Sequence, residues 1–106
     1  MYEVYRYQTE AGVEPVSEWF ATVTDKFTQA VLRRRISRLQ LGNLGDAATV
    51  GSGVFELREH TGAGYRIYFG RHGSVVIILL CGGTKRTQGA DIKKAIDYWT
   101  DWKRRQ

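Results

Sequence analysis

The 106-residue sequence predicts a single α+β domain in the order β-α-α-β-β-β-α, a curved antiparallel meander that carries helices. Three observations support this. Gly53 to Phe69 alternates apolar and charged residues on either side of a Gly-rich turn, the pattern of a β-hairpin. The run Val75-Val76-Ile77-Ile78-Leu79-Leu80 is apolar without a break, as in a strand covered on both faces. Elsewhere, apolar residues recur at helical spacing.

A first strand is expected over residues 2–8, where Tyr2, Val4 and, less clearly, Arg6 alternate with Glu3, Tyr5 and Tyr7. Glu10 to Glu14 contains Gly12 and reads as a connection. Pro15 stands where proline is tolerated at a helix start, and Val16, Trp19, Phe20 and Val23 follow at helical spacing. Thr24-Asp25 makes a break and a new cap. A second helix is predicted from about Lys26 to Leu41, with Phe27, Val31 or Leu32, Ile36 and Leu39 inward and Gly42-Asn43 at its end. The two helices should form an αα-hairpin lying on the sheet. Residues 42–53, with Gly42, Gly45, Gly51 and Gly53, read as a surface loop.

In the first strand of the β-hairpin, Phe55 and Leu57 share one face, and Glu56, Arg58 and His60 share the other. In the second, Tyr65, Ile67 and Phe69 oppose Arg66 and Tyr68. Pairing Leu57 with Ile67 sets Phe55 across from Phe69 and Arg58 beside Arg66, leaving Thr61-Gly62-Ala63 as an odd-length loop. One sheet face is then core. The other gathers two guanidiniums, a carboxylate, an imidazole and a phenol, a set suited to a phosphodiester. Gly70-Arg71-His72-Gly73 is a second tight turn, followed by a central strand from Ser74 to Leu80 that Gly82-Gly83 should end. A last helix begins at about Gln88 or Ala90, carries Ile92, Ala95, Ile96 and Trp99 inward, and closes with Lys103-Arg104-Arg105.

The composition narrows the partners. A formal charge of +5 favours an anionic partner, with nucleic acid ahead of a membrane surface. Cys81 is the only cysteine, so no intramolecular disulfide or cysteine-built zinc site can form, which fits a reducing cytoplasm. Following an apolar run, its thiol reads as buried and inert. Two isolated histidines give no metal-ligand spacing, so neither a metal nor another cofactor is expected. The N-terminus has no apolar signal-peptide core and no segment approaches membrane-span length, so the expected location is cytoplasmic.

Arg58 and Arg66 are the sharpest candidates. As solvated charges paired with Glu56 and Glu59 they would contribute only ~0–1 kcal/mol, whereas two planar forks can clamp a phosphate and neutralise charge developing in its transition state. Lys85 and Arg86, at the end of the central strand, are placed to add two more cations. His60 could act as general acid or base, or be a solvated turn residue. His72 reads as incidental. Arg33-Arg34-Arg35 with Arg38 forms a basic run that cannot all face one ligand; it reads as a solvated helix face or a docking surface for RNA phosphates. Gly82-Gly83-Thr84-Lys85 lacks the glycine spacing of a phosphate-binding loop, and no serine or cysteine nucleophile triad is suggested.

The strings Gly-Val-Phe-Glu-Leu-Arg, Gly-Ala-Gly-Tyr-Arg-Ile-Tyr-Phe, Leu-Leu-Cys-Gly-Gly-Thr-Lys-Arg-Thr-Gln and Asp-Ile-Lys-Lys-Ala resemble the RelE/ParE superfamily of toxins. Within it, the nearest likeness is to the HigB-like addiction module killer proteins. The likeness extends over essentially the whole chain and includes Trp19-Phe20 and the loop Leu41-Gly42-Asn43-Leu44-Gly45-Asp46. The fold it implies is RelE-like, a curved antiparallel sheet with an N-terminal helical hairpin and a C-terminal helix.

The function it implies is the toxin of a type II toxin–antitoxin system, a ribosome-dependent, metal-independent mRNA endoribonuclease that inhibits translation. By position, Glu56 and Arg58 match the catalytic charged pair, Arg66 the arginine of the Tyr-Arg motif, and Lys85 or Arg86 the basic residue after the last strand. Glu56 would be the base. The segment Thr87-Gln88-Gly89-Ala90-Asp91-Ile92 lacks the tyrosine or histidine such enzymes carry there, leaving His60, Tyr68 or no side chain as the acid. Arg33, Arg34, Arg38 and Arg71 would meet RNA or the ribosome. The implied partner is a cognate antitoxin of helix-turn-helix type in a heteromeric complex. The alternatives are a ParE-type gyrase poison, which shares the Leu-Arg and Tyr-Arg motifs, and an inactive prophage member that only binds antitoxin. The joint presence of Glu56, Arg58, Lys85 and Arg86, with the long last helix, favours the ribonuclease.

Overall fold

The computed structural model describes residues 1–106. In chain order it contains β1 (Glu3–Arg6), α1 (Pro15–Thr22), α2 (Lys26–Gln40), β2 (Ala47–Gly51), β3 (Val54–Glu59), β4 (Tyr65–His72), β5 (Val76–Thr84) and α3 (Gln88–Arg104), with a 3-10 turn at Lys85–Thr87. The strands form one sheet in the order β1-β5-β4-β3-β2. The protein is therefore α+β, but the sheet is mixed where an antiparallel one was expected. The chain crosses from one edge to lay β1 parallel to β5, with Glu3 beside Val76 and Arg6 beside Leu79. Apolar alternation reports which face a residue takes and carries no information about strand direction.

The hairpin forms in the expected register. Leu57 pairs with Ile67, Phe55 with Phe69 and Arg58 with Arg66. The Phe55 and Phe69 rings stack with centroids 5.3 Å apart, a cross-strand pair that helps fix this register. The loop runs from His60 to Gly64, longer than the three residues expected, because pairing stops at Glu59 and Tyr65. Part of the expected 42–53 loop is strand: Ala47–Gly51 pairs antiparallel with β3 as the far edge. Its small residues and the glycines around it give little strand signal, and the pairing comes from the partner β3.

Gly82 and Gly83 do not end β5, which continues to Thr84 opposite Tyr65. Both faces of the sheet need glycine where a tryptophan lies flat on a strand. A Cβ at Gly82 would run into the Trp19 ring of α1, and one at Gly70 would run into the Trp99 ring of α3.

Helices cover both faces. On one side Val16 and Val23 of the α1 region and Leu32 and Leu39 of α2 pack on Leu57, Ile67, Phe69, Ile77 and Leu79. On the other, Ala95 and Trp99 of α3 pack on Val54, Tyr68, Ile78, Leu80 and Cys81. The hairpin face expected to be open and charged is thus largely beneath α3. β5 lies inside the sheet between β1 and β4, in keeping with its apolar run though the middle strand is β4, and a bulge between its pairings with Tyr68 and Phe69 sends both Leu80 and Cys81 to the α3 side. Burial pushes the Cys81 thiol up to about 12, with the charge of Asp91 adding to the effect, as an inert cysteine requires.

Helix α2 starts as its sequence dictates, the Asp25 carboxylate accepting from Thr28 N–H at 3.0 Å. Its inward stripe differs from expectation. Phe27 is 67% exposed, whereas Thr28 and Arg35 are buried alongside Leu32 and Leu39. An inward arginine breaks the apolar spacing, and the backbone carbonyls it bonds account for its burial. No helix is long and apolar enough to cross a membrane.

Candidate active site

Strand alternation brings Glu56 and Arg58 to one side of the hairpin and Arg66 and Tyr68 to the same side from β4, while His60, expected on that face, is the first residue of the loop after β3. Arg58 and Arg66 are direct cross-strand neighbours, an arrangement that repels unless a negative charge is shared. Glu56 supplies that charge. Its Oε1 accepts from Arg58 Nε at 3.0 Å, and its Oε2 lies 3.6 Å from Arg66 Nε. Oε2 also accepts from the Tyr68 hydroxyl at 3.1 Å and from Gln88 Nε2 at 2.8 Å. The carboxylate is completely buried, yet four groups from β3, β4 and α3 surround it. Burial pulls its pKa upward, but the hydrogen bonds from Arg58, Gln88 and Tyr68 and the charge of Arg66 outweigh it and hold the group below the ordinary carboxylate range.

This corrects the role expected for Glu56. A carboxylate with no solvent access, engaged on both oxygens and held ionised, is poorly suited to take a proton from a substrate and well suited to fix two guanidiniums. Tyr68 is equally removed from substrate. It is completely buried, and burial together with the neighbouring Glu56 charge pushes its phenol well above the ordinary range. Neither residue can reach a leaving group.

Arg66 sits at the centre. Its Nη1 donates to the Gly64 carbonyl at 2.9 Å, while its buried Nε has no hydrogen-bond partner. Glu56 Oε2, 3.6 Å from that Nε, already receives from Tyr68 and Gln88. The same Gly64 carbonyl accepts the Lys85 backbone N–H at 2.8 Å, which ties the start of the 3-10 turn to the hairpin loop. Gly64 adopts φ +73°, a left-handed conformation that admits glycine readily. A β-carbon there would meet Arg66 Nη1 and Lys85 Cβ, so its absence lets the two cationic residues approach each other. Arg86 is exposed one residue further along the turn. Lys85 is thus brought against the hairpin cations through Gly64.

Exposure rises along β3 and into the loop after it. Glu56 is fully buried, the Arg58 side chain is 34% exposed and His60 is 70% exposed. His60 Nε2 lies 2.5 Å from Asp46 Oδ2, and Asp46 Oδ1 lies 3.5 Å from Arg58 Nη1. Asp46, Gln88 and Arg35 are site residues that sequence reasoning missed. Arg35 is the buried member of the basic run. Its Nη2 donates to the carbonyls of Asp46 and Arg58, both at 3.1 Å, and its Nη1 to that of Leu44 at 3.1 Å. It fastens the loop before β2 to the site. The three-in-a-row arginines could have signalled one inward member, because consecutive helical residues point in different directions; its target lay beyond local sequence.

Other candidates lie elsewhere. Arg33, Arg34 and Arg38 are exposed on α2, with the Arg33 guanidinium 5.3 Å from the centre of the Phe20 ring. Arg71 is exposed near the opposite end of β4, with its guanidinium 5.1 Å from the centre of the Tyr2 ring. The two surface concavities also avoid the cation cluster. One lies among Arg6, Val16, Phe20 and Ile36, and the other, of about 490 Å³, lies between α1 and α3 over Gly82 and Gly83. Arg58 and Lys85 thus lie at an open rim, with Arg66 largely buried beside them. Such a site can contact a large polyanion held by another body, but offers little enclosure for a small ligand.

A mixed five-stranded sheet between two helical layers, with arginines clustered on a buried carboxylate at one end, defines the class of protein. No family model matches this chain. It is 47% identical over 77 residues to an uncharacterized protein of Haemophilus influenzae, an alignment covering 73% of this chain and 78% of that relative. The chain belongs to the same family as that protein.

Proposed function

We propose that this protein is the toxin of a type II toxin–antitoxin pair and cleaves mRNA on the ribosome, with a RelE-like fold extended by the edge strand β2. The observation that carries the reading is the pair of guanidiniums, Arg58 and Arg66, held by one buried carboxylate with Lys85 fastened beside them through Gly64. The reaction is attack of a ribose 2′-hydroxyl on the adjacent phosphorus, giving a cyclic phosphate and a 5′-hydroxyl. Charge develops on the nonbridging oxygens as the fifth bond forms, and fixed cations stabilise it without reorganising. Glu56 acts as a positioning residue for those cations. The open rim supports ribosome dependence, since a site with no cavity of its own depends on another body to align the RNA, and alignment can supply a large share of the rate.

The protein would act in the cytoplasm without a metal or other cofactor and be restrained by a helix-turn-helix antitoxin. The test is primer extension on mRNA from programmed ribosomes incubated with purified protein. Cuts are expected only with ribosomes present, and Arg58→Gln or Arg66→Gln should slow cutting by about 10²–10³-fold each. Cutting that is undiminished in both variants would remove the site assignment. Absence of cuts together with inhibition of gyrase supercoiling would favour the gyrase-poison alternative.

A further inference from the structure

We infer that Asp46 and His60 form the proton-transfer dyad of this site, with His60 as the general base and Asp46 as its positioning residue. This rests on the RNA-cleaving reading above. Cations alone do not complete the proposed reaction, because the attacking 2′-hydroxyl must lose a proton. Glu56 and Tyr68 are completely buried and bonded to each other, so neither can receive it. Lys85, Arg86, Arg58 and Arg66 are cationic. His60 remains, exposed at the rim, and an imidazole is suited to proton transfer near neutral pH.

Its position is built. The two oxygens of the Asp46 carboxylate reach His60 Nε2 at 2.5 Å and Arg58 Nη1 at 3.5 Å, so a single side chain links the imidazole to the cation array. The Asp46 backbone is fixed as well. Its carbonyl accepts from the Arg58 N–H at 2.9 Å and from Arg35 Nη2 at 3.1 Å. A Cβ at the preceding Gly45 would run into Arg35 Nη1, so the loop is closed tightly over the buried arginine. An incidental surface pair between two flexible side chains needs none of this support.

The hydrogen bond from His60, foremost, and the charges of Arg58, His60 and Arg35 keep the Asp46 carboxyl below its usual range against the upward pull of burial. An ionised Asp46 accepts from Nε2–H and leaves Nδ1 as the free acceptor. In the reaction, Nδ1 takes the 2′-hydroxyl proton as the O2′–P bond forms. The P–O5′ bond breaks, and the departing oxygen takes a proton from water. The hydroxide left behind collects the proton from His60, restoring neutral imidazole. The charged groups around His60 are Asp46 from the loop before β2, with Arg58 and Arg35 behind that carboxylate, while the adjacent Glu59 turns to Arg35 and Thr61.

The test is single-turnover cutting on programmed ribosomes across pH by wild type, His60→Gln, Asp46→Asn and Arg66→Gln. His60→Gln should be slower by about a hundredfold or more and lose the acid limb of the rate profile. Asp46→Asn should be slower, because the ring loses the acceptor that fixes its Nε2–H. His60→Gln cutting at the wild-type rate, with Arg66→Gln impaired, overturns the dyad and leaves the RNA reading standing. No cutting by wild type overturns both. Nitrogen NMR of the His60 ring provides a check independent of activity: the proton should reside on Nε2 in wild type and lose that preference in Asp46→Asn. A wild-type ring protonated on Nδ1 in its neutral form would overturn the assignment.

Discussion

Adjacent residues on β3 are buried in opposite ways. Leu57 is 2% exposed among Val16, Leu32, Leu39, Ile67 and Phe69, where contact is non-directional and any close-packed apolar neighbour suffices. Glu56 is fully buried on the other face, where its charge survives because donors and cations meet it from β3, β4 and α3. The apolar face fixes the hairpin register, and that register delivers Arg58 and Arg66 to Glu56. A slip of one residue would send Glu56 into the apolar layer and Leu57 under Gln88. One face thus specifies the geometry on which the other depends.

Emptying each position in turn should have the largest effect on stability. Glu56→Ala leaves the Arg66 charge buried without its counter-ion and should destabilise by about 3–5 kcal/mol in urea titration. Leu57→Ala loses transfer energy and leaves a cavity, for about 2–5 kcal/mol. A second change separates the causes. Adding Arg66→Met to Glu56→Met should recover stability over the single Glu56→Met variant, because the stranded charge leaves with its partner. If the double variant is less stable than wild type by the sum of the two single losses, the array is a stability element and the contrast between the faces fails.

Acid sharpens the same contrast with a smaller effect. The folded-state pKa of Glu56 lies below its unfolded value, so the unfolded chain binds protons more readily between the two. The contribution of Glu56 is therefore complete above the ordinary glutamate range, about 4.3, and is lost as pH falls from there through the folded value. Wild type and Leu57→Ala should lose stability in parallel across that window. Glu56→Gln should show a shallower acid limb. Identical acid limbs in all three would mean that Glu56 is no better held when folded than when unfolded.

The hairpin was legible in the sequence because alternation, a Gly-rich turn and the Phe55–Phe69 pair all encode one register locally. So were the helices whose apolar residues keep their spacing, as in α1 and α3. The parallel placement of β1 was not, since strand direction is settled by the crossover. Nor was β2, whose Ala-rich segment becomes a strand only against β3. For the site, the cations could be gathered from alternation and strand-end position. The coverage of that face by α3 could not, so Glu56 and Tyr68 appeared available for chemistry when they are sealed. Gln88 and Asp46 arrive from elements 32 and 10 residues away from Glu56 in sequence, and nothing in their immediate neighbours points there. Arg35 was hidden within a run whose other members face solvent.

The smallest stability effects belong to the exposed arginines of α2. Arg33→Gln gives up a cation–π interaction with Phe20, about 0.5–1 kcal/mol, while Arg34→Gln and Arg38→Gln should stay within about 0.5 kcal/mol. Their diagnostic value is in binding. If this helix meets ribosomal RNA, removing each arginine–phosphate pair should reduce the slope of log affinity against log salt by about 0.7–0.9. The triple variant should therefore bind programmed ribosomes more weakly at low salt, yet cut at the wild-type rate once ribosomes saturate it. Arg66→Gln should do the reverse, losing rate at saturation. A triple variant that lost rate at saturation and kept its salt slope would place chemistry on the helical layer, against the division of labour between the two faces of the sheet.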